Sequence, residues 1–227
     1  MKREIIITGD GSPTIFVPEL DEHYHSIHGA FNESMHVFIH AGLAYRLEQK
    51  KSIHVLEIGL GTGSNFLLTL DFIQSLPVQV TYDALEPFPI SNEIITTLGG
   101  SITAFKCSKE TFEQIHKAEA GKPVTLSTKL SFTRLQETLQ NVQLNKQYDL
   151  VYFDAFGPRA QPEMWEAANF DKLFQYMEPG GVLVTYCAKG SVRRTLQEIG
   201  FMVEKLPGPP GKREMLRATK LPVNFVL

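Results

Sequence analysis

The chain has 227 residues, of which 43% are hydrophobic and 21% charged, and its formal net charge is −3. These values are typical of a globular protein with one large domain, and they indicate neither a disordered chain nor a strongly basic nucleic-acid-binding protein. The apolar runs are too short to cross a bilayer, and residues 1–8 lack the pattern of a signal peptide. Cys107 and Cys187 match neither a disulfide framework nor a zinc motif. We therefore expect a cytoplasmic, monomeric protein of enzyme size that does not contact the membrane.

Residues 1–50 are predicted to form an N-terminal extension that folds as part of the same unit as a domain spanning residues 51–227. Two β-branched runs, residues 5–7 and 14–17, flank a Gly- and Pro-containing turn, a pattern that predicts a β-hairpin. From Asn32 onward apolar residues recur at helical spacing, so a helix is expected to follow the hairpin.

Five of the seven histidines fall in this extension: His23, His25, His28, His36 and His40. His36 and His40 stand one helical turn apart, which is a metal-ligand spacing, but no H-E-x-x-H motif, cysteine or paired carboxylate is nearby to complete a site. We therefore expect no metal. Two interpretations stay open: Tyr24, His25 and His28 cover a ligand pocket, or the histidines cap and pack a helix.

The most informative stretch is a glycine-rich turn between a predicted buried strand and a predicted helix. The apolar run 55–58 contains Glu57, and Gly59, Gly61 and Gly63 follow it at alternate positions. Glycine permits a positive φ and lets a ligand approach the backbone closely, and the N-terminus of a helix favours an anionic or polar ligand. The pattern predicts a nucleotide-like ligand at the end of a first parallel strand. A plain tight turn is the alternative.

The spacing of the glycines and a second acid narrow the choice of ligand. A dinucleotide fingerprint requires G-x-G-x-x-G, whereas Ser64 stands here in place of its third glycine. The form E-x-G-x-G-x-G instead resembles motif I of the class I methyltransferases, which bind S-adenosylmethionine (SAM), and Asn65 follows this loop. A second predicted strand, residues 78–86, ends at Glu86, where such folds place the acid that binds the ribose hydroxyls.

Asp154 ends the fourth predicted core strand, which begins at Tyr148. The carboxyl end of a central parallel strand faces the ligand crevice, and a charged group there is costly unless it is used or paired. We therefore predict a functional role for Asp154. A structural cap on the following turn is the alternative.

Later segments provide aromatic and basic candidates for a larger partner. Trp165, the only tryptophan, follows a loop that contains Gly and Pro, so it is either a lid or base-stacking residue or a packed core residue. Eight basic residues against three acids lie between Tyr186 and Lys220. A polyanion could use that surface, although a scattered solvated face explains it equally well.

The remaining periodicities complete an α/β alternation. Helices are predicted over residues 90–98, 110–119, 135–144, 170–177 and 190–199, and further strands over 129–135, 182–186, 201–206 and 214–219. Together these elements predict an α/β, Rossmann-like fold: a mostly parallel seven-stranded sheet with helices on both faces and a small N-terminal hairpin and helix.

Several segments occur in an order that resembles one family. They are residues 57–63, Glu86, residues 154–158, P-E-M-W at 162–165, S-V-R-R at 191–194 and K-R-E-M-L at 212–216. Together they resemble the tRNA 5-methylaminomethyl-2-thiouridine methyltransferase family, which is the methyltransferase half of bifunctional MnmC and is found alone as MnmD. The likeness runs from Asp10 onward and implies a class I SAM-dependent methyltransferase domain over residues 51–227. It implies the stand-alone transferase, because the flavin oxidase half has no room here.

The resemblance implies methyl transfer from SAM to the primary amine of 5-aminomethyl-2-thiouridine at the tRNA wobble position, with the anticodon loop as partner. Asp154 is the candidate that holds and deprotonates the amine, as a base or as a positioning group. The cofactor-binding candidates are Glu57, Gly59, Gly61, Gly63, Asn65, Glu86, Tyr24 and Asp154. The tRNA-binding candidates are Phe156 and Trp165, which could stack a splayed base, and Arg193, Arg194, Lys212 and Arg213, which could hold phosphates.

Other functions fit parts of the same pattern. A SAM-dependent methyltransferase of a small amine, or a polyamine-type transferase, would use the same first and fourth strands. A non-catalytic module that binds SAM or RNA would keep the fold without a role for Asp154. An NAD-dependent oxidoreductase is disfavoured by Ser64.

Overall fold

The computed structural model describes residues 2–100, 105 and 109–222, so Cys107 lies outside the described residues. The strands are β1 (Glu4–Ile7), β2 (Pro13–Val17), β3 (Glu22–His23), β4 (Ser52–Ile58), β5 (Gln79–Leu85), β6 (Pro123–Ser127), β7 (Leu130–Leu135), β8 (Tyr148–Phe153), β9 (Met177–Thr185), β10 (Phe201–Pro207) and β11 (Glu214–Lys220).

The helices are α1 (Ala30–Ser34), α2 (Tyr45–Leu47), α3 (Ser64–Ile73), α4 (Asn92–Gly99), α5 (Lys109–Lys117), α6 (Ala167–Gln175) and α7 (Gly190–Ile199). A π-helical stretch, Met35–Ala44, joins α1 to α2, and a 3₁₀ turn covers Pro162–Trp165. Within the described part of the chain, no helix combines the length and the apolar character that a bilayer-spanning segment needs.

The main sheet has the spatial order β10–β11–β9–β8–β4–β5–β7–β6. Its centre is parallel, since β4 pairs with β5 and β8, β5 with β7, and β8 with β9. Antiparallel pairs complete both edges. The predicted mostly parallel sheet is confirmed, but the described sheet has one strand more than the seven expected. The extra strand is β6, which turns back after Ser127 and pairs with the edge of β7.

Alternate residues of the central strands bury their side chains on opposite faces of this sheet. Val55 of β4 and Tyr152 of β8 belong to one core cluster, and Leu56 and Phe153 to the other. The first cluster contains residues of α3, α5 and the π-helical stretch, and the second contains residues of α6 and α7. Helices on both faces, as predicted, therefore cover a sheet whose middle strands are buried on both sides.

The N-terminal extension forms a three-stranded antiparallel sheet in the order β1–β2–β3. The predicted hairpin is β1–β2, with Glu4 opposite Phe16, and the short strand β3 adds to it. Ile15 and Val17 belong to the first core cluster, so the extension packs on the sheet through apolar side chains. The domain boundary at residue 50 stays a prediction.

The helix predicted over residues 135–144 is wrong, because β7 takes its first residue and turns follow. Leu139 and Val142 are buried in the second core cluster, and their spacing imitates one face of a helix. The ammonium of Lys172 donates to the backbone oxygens of Gln140 (3.0 Å) and Val142 (2.7 Å). These carbonyls are therefore satisfied by a side chain of α6 rather than by a helix of their own.

Candidate active site

A cavity of about 860 Å³ lies at the carboxyl ends of the parallel strands. The ends of β4, β5 and β8 supply one wall, and the N-terminal extension supplies another with residues between Val17 and Ile27. This edge of an open α/β sheet is where ligands bind. The volume is near the upper end of the ~300–1,000 Å³ that ligand pockets occupy, so it can take more than one small molecule.

The glycine loop is shaped by backbone conformations that side chains disfavour. Gly59, Gly61 and Gly63 have φ values of 92°, 53° and 78°. A Cβ on Gly59 would meet the backbone of β8 where that strand ends, and a Cβ on Gly61 would lie 3.0 Å from Cδ2 of Tyr24. Gly63 is the N-cap of α3. Gly59 and Gly61 line the cavity, whereas Gly63 lies outside the lining and faces Ile115 and His116 of α5.

Tyr24 and His25 bring the N-terminal extension onto this loop. The Tyr24 ring covers Gly61 and meets the Phe156 ring edge to face, with centroids 5.2 Å apart. Nε2 of His25 lies 3.5 Å from the Thr62 hydroxyl, and burial lowers the pKa of His25 to about 4, so this ring is uncharged at neutral pH. Of the two interpretations left open for this loop, the geometry favours the wall of a ligand pocket.

Asn65 joins two acids that the sequence places 97 positions apart, Glu57 and Asp154. Its Nδ2 donates to Oε1 of Glu57 at 2.9 Å and to Oδ2 of Asp154 at 2.8 Å. The Tyr82 hydroxyl donates to the other oxygen of Glu57 at 2.9 Å. Glu57 is completely buried, whereas Asp154 lines the cavity. Glu57 and Asn65 thus support Asp154 from behind.

Burial dominates the electrostatics of both acids. It raises the pKa of Asp154 to about 7; the hydrogen bond from Asn65 and the charge of Lys212 oppose this rise, and the charge of Glu33 adds to it. Burial also raises the pKa of Glu57 well above its usual range. Asp154 can therefore gain or lose a proton near neutral pH, as a general base for an amine must.

Glu86 connects the glycine loop to the loop after β5. Its Oε2 accepts from the Gly61 N–H and its Oε1 from the Phe88 N–H, both at 2.9 Å. Both Glu86 and Phe88 line the cavity, and the Phe88 side chain is 57% exposed. The sequence analysis missed Phe88. An exposed ring beside the ribose-binding candidate is suited to stack a base.

The sequence analysis also missed Glu33, a charged residue of the cavity. Glu33 of α1 forms an ion pair with Lys212, and the Lys212 ammonium lies 4.0 Å from the centre of the Tyr186 ring. All three residues line the cavity. Lys212 was predicted to hold a tRNA phosphate. Its ammonium is paired with Glu33 inside the cavity, and the phosphate contact stays a prediction.

Trp165 packs in the core instead of covering the cavity. Its side chain is 7% exposed, its Nε1 donates to the backbone oxygen of Phe156 at 2.8 Å, and its ring lies 4.9 Å from that of Phe153. The packed-core interpretation is therefore confirmed and the base-stacking one is wrong. The other predicted aromatic, Phe156, does line the cavity.

The other predicted basic residues, Arg193 and Arg194 of α7 and Arg213 of the β10–β11 turn, lie outside the cavity lining. Arg194 and Arg213 are exposed, and Arg193 is half-buried. Of the two histidines with metal-ligand spacing, His36 points its Nε2 at the backbone oxygen of Pro207, 2.8 Å away. Over residues 2–100, 105 and 109–222, no cluster of three or more His, Cys, Asp or Glu is placed to hold a metal ion.

Comparison with known proteins agrees with this geometry. The model of a family of S-adenosyl-L-methionine-dependent methyltransferases matches residues 102–221. The chain is 32% identical over 220 residues to the tRNA 5-methylaminomethyl-2-thiouridine biosynthesis bifunctional protein MnmC of Ralstonia nicotianae, covering 91% of this chain and 32% of that protein. It is 32% identical over 212 residues to MnmC of Idiomarina loihiensis, covering 86% and 35%. The chain thus spans about a third of the length of these relatives.

Solved structures agree as well. The crystal structure of MnmC2 from Aquifex aeolicus matches with a TM-score of 0.78 at 25% identity, covering 100% of this chain and 73% of that chain. Spermidine synthase from Thermotoga maritima, with a TM-score of 0.60 at 11% identity and coverage of 96% and 69%, shares the fold alone. The family resemblance drawn from the sequence is confirmed. Since the family model spans more than half of the chain, this protein belongs to the S-adenosyl-L-methionine-dependent methyltransferases.

Proposed function

We propose that this chain transfers a methyl group from SAM to the primary amine of 5-aminomethyl-2-thiouridine at the wobble position of tRNA. The name of the curated relatives, tRNA 5-methylaminomethyl-2-thiouridine biosynthesis bifunctional protein, supports this substrate, although those proteins are about three times longer. The structural observation that carries the proposal is Asp154, a carboxyl group with a pKa of about 7 beside the glycine loop. An amine acceptor requires such a group, whereas a binding module does not.

The residues around the glycine loop fit SAM. Gly59 and Gly61 present bare backbone to the cavity, and Glu86 faces the same space with a carboxylate suited to ribose hydroxyls. Asn65, whose buried Oδ1 has no hydrogen-bond partner among the described residues, lies behind Asp154 and outside the cavity lining. Phe88 offers apolar surface for the adenine. When bound, SAM supplies a methyl carbon made electrophilic by its sulfonium.

The charge of the cavity favours cationic ligands. Its lining contains the acids Glu22, Glu33, Glu86, Asp154, Glu163 and Glu166 against the bases Arg3 and Lys212. Both bases are engaged, Arg3 with the backbone oxygens of Phe88 and Pro89 and Lys212 with Glu33. An acid-rich, partly enclosed space attracts sulfonium and ammonium groups and repels phosphate. The tRNA backbone is therefore expected to stay on the outer surface.

Asp154 would hold the substrate amine and take its proton. An alkylammonium has no free lone pair, so it must lose a proton before it can act as a nucleophile. One oxygen of Asp154 is occupied by Asn65, which leaves the second oxygen to accept from the amine. Because the pKa of Asp154 is about 7, the group is ionised in part at neutral pH and remains basic enough to accept that proton.

Arg194 and Arg213 are the exposed cations that we assign to the tRNA backbone. Arg213 directly follows Lys212, so the β10–β11 turn directs one cation into the cavity and leaves the next one on the surface. Reversing both charges with Arg194→Glu and Arg213→Glu should weaken tRNA binding and reduce its salt dependence, while SAM binding stays unchanged. Equal loss of both would count against this surface. Contact with the anticodon loop, the monomeric state and the cytoplasmic location stay predictions.

The decisive experiment is mass analysis of the wobble nucleoside after tRNA lacking the final methyl group is incubated with the protein and SAM. We expect 5-methylaminomethyl-2-thiouridine from the wild type. With Asp154→Asn we expect at least about 100-fold slower conversion, while SAM binding measured by calorimetry persists. Labelled methyl transfer to spermidine or to the free nucleoside, with none to tRNA, would support a small-amine transferase instead. SAM binding without any turnover would support a binding module.

A further inference from the structure

The ion pair between Glu33 and Lys212 joins two distant parts of the chain inside the cavity that holds Asp154. Glu33 lies on α1 and is 6% exposed, and Lys212 lies in the turn between β10 and β11. The second oxygen of Glu33 accepts from the Ser26 N–H at 2.7 Å. The Glu33 carboxylate is therefore enclosed, whereas the Lys212 side chain keeps 32% of its surface exposed.

Aromatic and backbone contacts link Lys212 to the strand end that carries Asp154. The ammonium lies over the Tyr186 ring, and the hydroxyl of that ring donates to the backbone oxygen of Ala155 at 2.8 Å. Ala155 is the residue that follows Asp154. Lys212 is therefore held at the same end of the cavity as the candidate base, by contacts from α1 on one side and from the end of β9 on the other.

The turn that carries Lys212 is itself anchored to the N-terminal extension. His36 contacts the backbone oxygen of Pro207, where β10 ends. A Cβ on Gly211 would lie 2.7 Å from the His28 ring, so the turn and the extension are in close contact there as well. A lysine is a flexible point charge unless its surroundings restrain it. Here the surroundings give its charge a defined position.

We propose that the Lys212–Glu33 pair sets the charge of Asp154 in the enclosed cavity, with Lys212 favouring the carboxylate and Glu33 opposing it. This inference rests on the function proposed above. Burial drives Asp154 toward the neutral acid, which cannot accept a proton, and a nearby cation opposes that tendency. Neither Glu33 nor Lys212 needs to touch the reacting atoms, so both are positioning residues.

The other ionisable groups that face Asp154 do not supply this charge. They are Glu57 of β4, Tyr82 of β5 and Tyr186, which follows β9. Burial raises the pKa of each of these groups well above its usual range, which favours the uncharged form. The charges that change the proton affinity of Asp154 are those of Lys212, which lowers its pKa, and Glu33, which raises it.

A carboxyl ¹³C NMR titration of aspartate-labelled protein tests this directly, with the Asp154 resonance identified by its loss in Asp154→Asn. Lys212→Met should raise the pKa of Asp154 by on the order of one pH unit, because it removes the cation and leaves Glu33 unpaired. Glu33→Gln should lower the pKa by a similar amount. The double variant should return it toward the wild-type value. In methyl-transfer assays the acidic limb of the pH profile should move to higher pH for Lys212→Met and to lower pH for Glu33→Gln.

Lys205→Met is the matched control. It makes the same chemical change in the same hairpin, where Lys205 pairs with Glu214 at 2.8 Å and lies outside the cavity lining. It should leave the Asp154 titration unchanged. The other aspartate resonances report whether each variant is folded. If Lys212→Met does not fold, Lys212→Gln takes its place.

Shifts of the Asp154 titration in the same direction for both single variants, or no shift in folded variants, would overturn the proposal. Because the titration needs no substrate, this outcome is distinct from failure of the proposed function. A protein that titrates as expected but does not methylate tRNA would overturn the function alone.

Discussion

The backbone oxygen of Asp154 lies 2.8 Å from the position that a Cβ atom on Gly59 would occupy. The end of β4 and the end of β8 approach this closely because residue 59 has no side chain. The same glycine has a φ of 92°, which side chains disfavour. The glycine loop and the acid, which both line the cavity, therefore form one unit.

Gly59→Ala is expected to lower SAM affinity by at least about 10-fold and to destabilise the fold, because neither contacting backbone can yield without moving a strand end. Gly121→Ala is the matched control: its φ is 76° but nothing lies within 4 Å of its Cβ position. It should cost about 1–2 kcal/mol of unfolding free energy and leave SAM affinity unchanged. Calorimetric titration and urea unfolding measure both. Equal SAM affinities for the two variants would contradict the assigned role of Gly59.

Asn65→Ala is expected to disturb both acids that its amide contacts. Without the shared donor, burial of Glu57 and Asp154 is less compensated, so the pKa of each should rise and the acidic limb of the pH–rate profile should move to higher pH. The unfolding free energy should fall by about 1–3 kcal/mol, because buried acceptors lose their partner. An unchanged acidic limb in a folded variant would show that Asn65 does not control the charge of Asp154.

Asp154→Asn is expected to stabilise the fold at pH 8 and to have no effect below pH ~4. The pKa of Asp154 is raised from 3.8 to about 7 on folding. The stability that Asp154 contributes is therefore fully present below the pKa of the unfolded state and is lost as pH rises through the pKa of the folded state. Asparagine stays neutral and its oxygen can still accept from Asn65. The gain at pH 8 should be on the order of 4 kcal/mol. Urea unfolding at pH 8 and below pH ~4 measures this gain. A loss of stability at pH 8 would show that burial does not disfavour the Asp154 carboxylate.

Phe88→Ala and Trp165→Phe should separate ligand stacking from core packing. Phe88 is largely exposed at the cavity, so its removal should weaken SAM binding by on the order of 10-fold with little change in unfolding free energy. Trp165 is buried and donates to Phe156, so its replacement should cost about 1–3 kcal/mol of stability and leave SAM affinity nearly unchanged. Thermal unfolding and calorimetry on both variants check this, and a reversal of the two effects would refute the assignment.

The local sequence determined the position of those site residues that stand at the ends of parallel strands. The E-x-G-x-G-x-G loop, Glu86 and Asp154 each end a predicted parallel strand, and parallel strands bring their carboxyl ends to one edge of the sheet. Their meeting in one cavity could therefore be predicted without coordinates. The helix predicted after β7 does not form, which shows the limit of inference from hydrophobic periodicity. Buried residues in turns can recur at helical spacing when a side chain such as Lys172 donates hydrogen bonds to their backbone oxygens.

Only the tertiary structure decided which distant side chains complete the site. Glu33 comes from α1, Lys212 from a turn near the end of the chain, and no local pattern encodes their ion pair. The structure also decided between the two interpretations of Trp165, whose ring is buried, and it placed the Lys212 side chain at the cavity. The physical reason is that hydrophobic spacing and turn residues specify local elements, whereas the charge environment of Asp154 depends on groups that only the packing of the extension and the β10–β11 turn brings together.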